Sequence, residues 1–453
     1  MKETTGSHSR GFSTSAQESP SYPSVSAAQH ASQLSHRKKE KKDPLILIVH
    51  ASVGSGHRSA ANAIAEAFSI LQQEKDPSIP KNLKVEVLDI LDWGRVRFDG
   101  DKFASGFTGA TRPLYDVSWR YGFTGRVVWG GGTIWSRLMF PEFTKYVRDT
   151  EPIAIICTHI TAANVAIGTR MINDQDYRVV CVPTDYEAEG LWPHRYTDLF
   201  CTANVSMSET LRARRISDKR ITVTGIPARE DFRLSHNDKK TKEVLGLPQD
   251  KMIVTALAGA YLPRPYVRFR EALDEILPYL HPFKNMHFVF IAGKDVQYAE
   301  HLRKECAELG LTNATVLEYV NNMAALMSAS SLVICKAGGL TVTECLAAQT
   351  PMILMGQTYG QEKVNMRMLT AAGAALHVTT PRELLSALRH IEKDSESLRA
   401  MEINSRLLRH PDAARDIAKK TIALAKKPRK PDDPLLVKHF MRFYIGDKPA
   451  HVR

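Results

Sequence analysis

Residues 336–344 read KAGGLTVTE, and this stretch decides the fold of the second half of the chain. An apolar, strand-like run (LVIC, residues 332–335) precedes it directly, and a helix-like segment runs from Val342 to Ala348. In such a strand–turn–helix unit the glycines let backbone N–H groups approach a phosphate, and the helix start adds partial positive charge. Lys336 stands at the carboxyl end of the strand, where open α/β sheets bind ligands. The stretch therefore predicts an anion site on an α/β fold.

A second polar cluster follows about one βα unit later. Residues 359–365 read YGQEKVN and come after a strand-like run at 351–355. Glu344 lies on the first turns of the preceding helix, where it is placed to accept hydrogen bonds from vicinal sugar hydroxyls. On its own, Gly338-Gly339 also fits an ordinary βα turn, because glycine-rich turns are weak motifs. The order and spacing of the two clusters favour a clamp on a nucleotide diphosphate.

The first half of the chain carries an independent signal around His57. A strand-like run (LILIV, residues 45–49) leads into ASVGSGH (residues 51–57), and apolar residues then recur at helical spacing from Ala60 to Phe68. An imidazole with a near-neutral pKa suits the abstraction of a proton from an attacking hydroxyl. We therefore predict that His57 is a general base; the alternative is a helix N-cap histidine that packs the turn.

With these motifs the chain resembles the lipid-directed glycosyltransferases. These are the monogalactosyldiacylglycerol synthases and the processive diacylglycerol glucosyltransferases, with the N-acetylglucosaminyltransferase of peptidoglycan synthesis as a more distant relative. The resemblance spans about residue 44 to the end of the chain. The residues that match the family pattern are Gly54, Gly56, His57, Arg58 and Ala60 in the first half, and Lys336, Gly338, Gly339, Thr341, Glu344, Gly360, Gln361, Glu362 and Asn365 in the second.

The resemblance implies that a UDP-sugar binds the second half of the chain. Its diphosphate would lie on the helix start at Gly338 and Gly339, its ribose on Glu344, and its uracil beside backbone groups of Tyr319 and Val320. The full predicted donor set is Gly259, Tyr319, Val320, Lys336, Gly338, Gly339, Leu340, Thr341, Glu344, Gln361 and Glu362.

Two departures from the family pattern leave details open. Relatives often carry several glycines where Ala258 and Ala260 flank the single Gly259. The plant-type enzymes carry an acidic residue where Ser52 or Val53 stands here, so the residue that orients His57 is not identified.

The acceptor side of the predicted cleft includes Asp185. The run VVCVPTDY (residues 179–186) reads as a buried strand that ends in a polar corner, and the family has a Thr-Asp pair here. Asp185 is predicted to orient a histidine or an acceptor hydroxyl, with a turn aspartate as the equal alternative. His159 and His194 are weaker candidates.

Composition indicates two globular domains. The 453 residues are too many for one core, and the chain is 43% hydrophobic and 24% charged. We predict two Rossmann-like domains with parallel sheets facing across a cleft, the GT-B arrangement of the family. The predicted boundaries are a disordered basic tail (1–42), an acceptor-facing domain (43–227), a UDP-sugar-binding domain (228–425) and a C-terminal tail or helix that returns to the first domain (426–453).

The six cysteines show no metal-ligand spacing. Their side chains are predicted to be buried in the protein core, and the compartment is predicted to be a reducing cytoplasm. No metal ion and no cofactor is expected, because lysine and the helix-end dipole offset the diphosphate charge. The tail at 1–42 lacks an apolar signal stretch, and an organellar targeting peptide is the alternative interpretation.

The net charge of +12 predicts an anionic partner surface. Nucleic acid is disfavoured because no recognised binding motif appears. Arginines alternate with aromatic rings at 119–129 and 135–140, as interfacial membrane binding requires, and the segment at 438–444 is similar. A core helix with surface arginines is the alternative. We predict a cytoplasmic protein, peripheral on the inner face of a membrane.

Together these signals predict an inverting glycosyltransferase that moves a hexose from a UDP-sugar to a lipid such as diacylglycerol. Two alternatives are kept: a UDP-sugar epimerase or hydrolase without a lipid acceptor, and a non-catalytic membrane adaptor that senses nucleotide sugars.

Overall fold

The computed structural model describes residues 42–53, 55–95, 138–187, 192–193, 196–234, 238–259, 263–358 and 360–429. Within these ranges the strands form two six-stranded sheets, and the pairs are parallel in both. Helices cover both faces of a parallel sheet, so its strands are buried and read as continuous apolar runs, as they do in this sequence. The predicted pair of Rossmann-like α/β domains is confirmed.

The first sheet has the strand order β2-β1-β3-β4-β5-β6. Its inner strand β1 (LILIVH) is buried along its whole length, as the apolar run at residues 45–49 predicts. The order reverses between β1 and β3, so the loops after these two strands flank the crevice where such sheets bind ligands. The strands are β1 Leu45–His50, β2 Lys84–Asp89, β3 Ala154–Cys157, β4 Arg178–Cys181, β5 Leu199–Thr202 and β6 Ile221–Val223.

The second sheet has the order β12-β11-β10-β7-β8-β9 and reverses between β10 and β7. Because β10 ends at Cys335, Lys336 and the glycine turn begin at this second crevice. The strands are β7 Met252–Leu257, β8 Met286–Ile291, β9 Ala314–Leu317, β10 Leu332–Cys335, β11 Met352–Met355 and β12 Ala375–Val378.

The α-helices of the described ranges lie between these strands and after the last one. In chain order they are α1 Gly56–Gln73, α2 Pro141–Thr150, α3 Ile160–Asn173, α4 Val205–Ala213, α5 Asp238–Val244, α6 Pro263–Ile276, α7 Val296–Glu308, α8 Met323–Ala329, α9 Gly339–Ala347, α10 Gly360–Ala371, α11 Pro381–Lys393, α12 Ser395–Leu408 and α13 Ala413–Ala425. No helix among them is both long and apolar enough to cross a bilayer.

Helix α13 packs on the first domain although it follows the second. Its buried Ile417 and Ile422 join the core formed by Ile46 and Phe68 of β1 and α1. The sequence placed the return to the first domain after residue 425, whereas the structure has it begin at Ala413. An apolar helix stripe indicates burial, but it does not indicate which sheet the helix covers.

The six cysteines are free and buried. Four of them lie in or next to strands and the other two on helices, where each acts as a small apolar side chain.

Candidate active site

His57 lies at the start of α1, directly after the loop that leaves β1. Its Nδ1 is 2.9 Å from the backbone oxygen of Thr158 and 2.9 Å from Oγ1 of Thr184. The Thr158 hydroxyl in turn donates to the backbone oxygen of His57 at 2.9 Å. A carbonyl oxygen can only accept, so the Thr158 contact places the proton of the neutral ring on Nδ1. The lone pair of Nε2 is thereby left to take a proton.

The surroundings of His57 keep it neutral. Burial lowers its pKa, and the Thr158 carbonyl opposes this effect only in part. The ring of His159 meets it edge-on with the centroids 4.7 Å apart. His159 itself caps α3 by accepting from the Thr161 backbone N–H at 3.1 Å, and burial lowers its pKa well below the usual value. His159 therefore has a structural role, and His57 is the side chain with the geometry of a base.

A buried His50–Asp89 pair lies beside this base and was not predicted from the sequence. His50 is the last residue of β1 and is 4% exposed, and its Nδ1 is 4.0 Å from Oδ2 of Asp89 at the end of β2. Burial lowers the pKa of His50 to about 4. Oδ1 of Asp89 also accepts from the Ser52 backbone N–H at 3.3 Å. For His50 the available signal was a polar residue that ends an otherwise apolar strand.

Asp185 lies at the site but does not contact His57 in the structure. The neighbouring Thr184 makes that contact, while Oδ1 of Asp185 accepts from Nδ2 of Asn365 at 2.9 Å. Burial raises the pKa of Asp185, and the Asn365 hydrogen bond opposes the rise. Because Asn365 belongs to the second domain, Asp185 joins the two domains.

The glycine turn of the second domain touches the first domain. A Cβ built on Gly339 would overlap the backbone oxygen of Thr184 and lie 2.8 Å from Oδ1 of Asp185. Gly338 is the N-cap of α9 and makes no side-chain cap bond. Leu340 is 8% exposed and faces Gly56, whose Cβ would lie 3.6 Å from it. The predicted phosphate turn and the predicted base therefore meet across the cleft.

The two polar clusters of the second domain also come together. Nζ of Lys336 lies 3.5 Å from Oε2 of Glu362 on the first turn of α10, next to Gln361. The Lys336 side chain is 9% exposed and the Glu362 side chain 30% exposed. An ammonium ion held this far from bulk water interacts strongly with an added negative charge.

Glu344 and Thr341 project from α9, the helix that begins at the glycine turn. Burial raises the pKa of Glu344 to about 7, and the Arg229 guanidinium in the interdomain linker opposes the rise. Thr341 is partly exposed, and its Oγ1 would lie 4.0 Å from a Cβ on Gly338. Glu344 thus exchanges a proton near neutral pH.

Gly259, Tyr319 and Val320 follow strands of the second sheet that end at the same edge as β10. A Cβ on Gly259 would lie 2.6 Å from the backbone nitrogen of Gly293, so the turns after β7 and β8 touch. Tyr319 is 62% exposed, and Nζ of Lys294 lies 5.7 Å from its ring centre. Val320 is partly buried against the core under β8. An exposed ring beside a cation is available to a planar base.

Some predicted residues fall outside the described ranges. They are Gly54, Ala260, His194, residues 119–129, residues 135–137 and the segment 438–444. Within the described ranges, no group of three or more His, Cys, Asp or Glu residues is placed to hold a metal ion.

Two doubly wound parallel sheets, with an imidazole on one and a glycine-started helix on the other, define the class of two-domain GT-B enzymes. The solved structures of that shape include Acinetobacter baumannii MurG (TM-score 0.51, 18% identity, 83% of this chain and 98% of that one). They also include the UDP-GlcNAc 2-epimerase from Neisseria meningitidis bound to UDP-GlcNAc (TM-score 0.52, 12% identity, 84% and 99%). Likeness at these identities establishes the fold alone.

Sequence comparison finds similarity to glycosyltransferases in both halves of the chain. The model of the monogalactosyldiacylglycerol (MGDG) synthase family matches residues 57–228, and that of the glycosyltransferase family 28 C-terminal domain matches residues 267–417. The processive diacylglycerol beta-glucosyltransferase of Bacillus cytotoxicus is 25% identical over 388 residues, 83% of this chain and 92% of that protein. The Bacillus mycoides enzyme of the same name is 25% identical over 391 residues (84% and 94%). The first half of the chain is thus similar to the monogalactosyldiacylglycerol synthases, and most of the chain is similar to the processive diacylglycerol beta-glucosyltransferases.

Proposed function

We propose that this chain transfers a hexose from a UDP-sugar to the hydroxyl of a diacylglycerol-like lipid, with inversion at the anomeric carbon. The observation that carries the proposal is the contact of His57 Nδ1 with the Thr158 carbonyl, which leaves the lone pair of Nε2 to act as a base. The names of the relatives, diacylglycerol beta-glucosyltransferases, support the lipid acceptor and the sugar donor.

The reaction needs a base on one face of the sugar and a stabilised leaving group on the other. Nε2 of His57 takes the proton of the acceptor hydroxyl while its oxygen attacks the anomeric carbon. The bond from that carbon to the diphosphate oxygen breaks, and UDP leaves with the electron pair. Lys336 and the start of α9 stabilise the charge that develops on the diphosphate.

We propose the remaining donor contacts for the residues that the family resemblance implies. Glu344 accepts hydrogen bonds from the ribose hydroxyls, and Gln361 and Glu362 hold the sugar hydroxyls or phosphates. Tyr319 and Val320 flank the uracil. The reaction proceeds without a metal ion, because the lysine and the helix dipole supply the positive charge.

The proposed acceptor places the enzyme at a membrane surface. The net charge of +12 suits an anionic lipid surface, and the segments 119–129 and 135–140, which mix aromatic residues and arginines, supply interfacial side chains. We place it on the inner face of a membrane as a peripheral protein of the cytoplasm.

The test is UDP release by purified protein with a panel of UDP-sugars, with and without anionic liposomes that contain diacylglycerol. We expect release with one sugar only, and only with the lipid. His57→Ala should abolish it. His281→Ala is the matched control, since His281 lies at the opposite edge of the second sheet and bonds the Leu309 backbone oxygen.

Other outcomes identify the alternatives. UDP release or conversion of the UDP-sugar in the absence of lipid would contradict the proposal in favour of an epimerase or hydrolase. Binding of a UDP-sugar without turnover on any lipid would favour the adaptor.

A further inference from the structure

Residues 184–186 form a corner after β4 that is the part of the first domain in contact with the glycine turn. We call this segment the interdomain corner. Its Tyr186 hydroxyl lies 3.0 Å from Oγ1 of Thr343, which itself donates to the Gly339 backbone oxygen at 2.7 Å. The corner therefore has hydrogen bonds to α9 as well as the close contact at Gly339.

Asn365 of α10 holds the interdomain corner from the second domain. Its Oδ1 accepts from the Tyr186 backbone N–H at 2.9 Å, and its Nδ2 donates to Oδ1 of Asp185 and to the Ala337 backbone oxygen, each at 2.9 Å. The residue is 0% exposed, and both amide hydrogens and the amide oxygen are in use. An amide buried with all these bonds costs free energy if any partner moves away. Asn365 thus fixes the interdomain corner relative to Ala337, the residue before Gly338.

The same corner reaches the base. Oγ1 of Thr184 is 2.9 Å from Nδ1 of His57, while the Thr184 backbone oxygen is the atom packed against Gly339. One residue therefore contacts the imidazole with its side chain and the phosphate turn with its backbone. Thr184 therefore connects the glycine turn to the imidazole.

We propose that Asn365 is a positioning residue that couples the approach of the two domains to the placement of His57. When the second domain is in place, Asn365 holds the corner and the corner holds the imidazole with Nε2 toward the acceptor. When the domains separate, the corner loses these bonds and the imidazole loses one of its two Nδ1 partners. The catalytic consequence rests on the proposed function, whereas the coupling itself does not.

The kinetic test compares Asn365→Ala with Asn404→Ala, a matched amide whose Nδ2 bonds the Gly373 backbone oxygen within the second domain. We expect Asn365→Ala to lower kcat by about tenfold to a hundredfold, as small displacements of a base do, and to leave the Kd of the UDP-sugar within about threefold. Asn404→Ala should leave kcat unchanged. A Kd that weakens as much as kcat falls would overturn the proposal, because Asn365 would then act by contacting the donor.

A double-mutant cycle with Thr184→Val sharpens the test. If Asn365 acts through the corner, the two losses in kcat are not additive, because the second change removes nothing further. Additive losses mean that Asn365 acts by another route, which contradicts the proposal. Asn365→Asp, which keeps the volume and removes both amide donors, is the second variant if Asn365→Ala does not fold.

A measurement without turnover separates this inference from the proposed function. The titration of His57 is followed by NMR of histidine-labelled protein and assigned with His57→Gln. The groups around it are His50, His159, Arg58 and, facing His50, Asp89. In Asn365→Ala we expect the pKa of His57 to rise toward its ordinary value as the loosened corner admits water. An unchanged titration overturns the coupling even in a protein that is active, and a shifted one supports it even in a protein that transfers no sugar.

Discussion

Burial shifts the pKa values of His57 and Glu344 in opposite directions, and both shifts favour the neutral form of the side chain. It lowers the pKa of His57, a base that must be neutral to work, and raises the pKa of Glu344 to about 7. Without ligand the site therefore carries less charge than its sequence implies. At neutral pH the predicted base His57 is neutral, whereas Glu344, the predicted ribose contact, is close to half protonated.

Glu344 should make donor binding dependent on pH. Below pH 7 the carboxyl gains a proton and loses acceptor capacity toward the ribose, so binding weakens as the pH falls through 7 and strengthens above it. Glu344→Gln should weaken binding roughly tenfold at pH 8, the value of a hydrogen bond to a charged group, and flatten the dependence. Calorimetric titration with a UDP-sugar is the measurement, since its diphosphate does not titrate in this range. A wild-type affinity that is constant from pH 6 to 8 would contradict this role.

The turn between β10 and α9 is the element on which the domain contact depends. A Cβ at Gly339 would overlap the Thr184 backbone oxygen, whereas one at Gly338 would meet only Oγ1 of Thr341 at 4.0 Å. The two glycines are adjacent in the sequence and differ in what surrounds them. They form a matched pair for testing the contact.

Gly339→Ala should destabilise the protein by about 1–3 kcal/mol, the usual cost of forcing an extra methyl group into a packed contact. Gly338→Ala should change the denaturant midpoint very little, because its φ of −70° suits alanine and there is room for the methyl group. Unfolding curves of both variants are the measurement. Equal effects of the two substitutions would mean that the contact at Gly339 is not rigid.

The sequence indicates single elements better than contacts between them. The glycine turn, its strand and its helix are visible in 332–348 because strand, turn and helix signals are local. The contacts of Asn365 with Asp185 and Tyr186 are not visible, since they depend on how two sheets face each other. The role of Thr158 is not visible for a related reason. Its backbone oxygen orients His57, and the identity of a side chain does not indicate what the backbone oxygen of that residue contacts.

At the scale of the whole molecule, an ion cluster joins α13 to the linker between the domains. Arg415 donates to both carboxylate oxygens of Glu74 at 2.7 and 2.8 Å and to Glu230 at 2.6 Å, with its side chain 13% exposed. The two carboxylates raise the pKa of Arg415 further. The cluster connects α1, the linker and the last helix at one point.

Arg415→Met should lower the free energy of unfolding by roughly 2 kcal/mol, because Glu230 is left with its main partner removed in a half-buried place. Arg212→Met is the control: Arg212 pairs with Glu209 and Asp218 at an exposed position, 42% exposed, and its loss should shift the denaturation midpoint much less. Chemical denaturation of both variants in the same buffer measures the difference. A loss at Arg415 no larger than that at Arg212 would show that the cluster adds nothing to stability.

The return of α13 to the first sheet also sets an order for biosynthesis. A ribosome releases β1 to β6 long before it reaches Ala413. In the nascent first domain the face around Ile46 and Phe68 therefore stays uncovered until α13 has been made. The second domain is one uninterrupted stretch and can complete its fold in the meantime. The domain that is translated first is therefore the one that matures last.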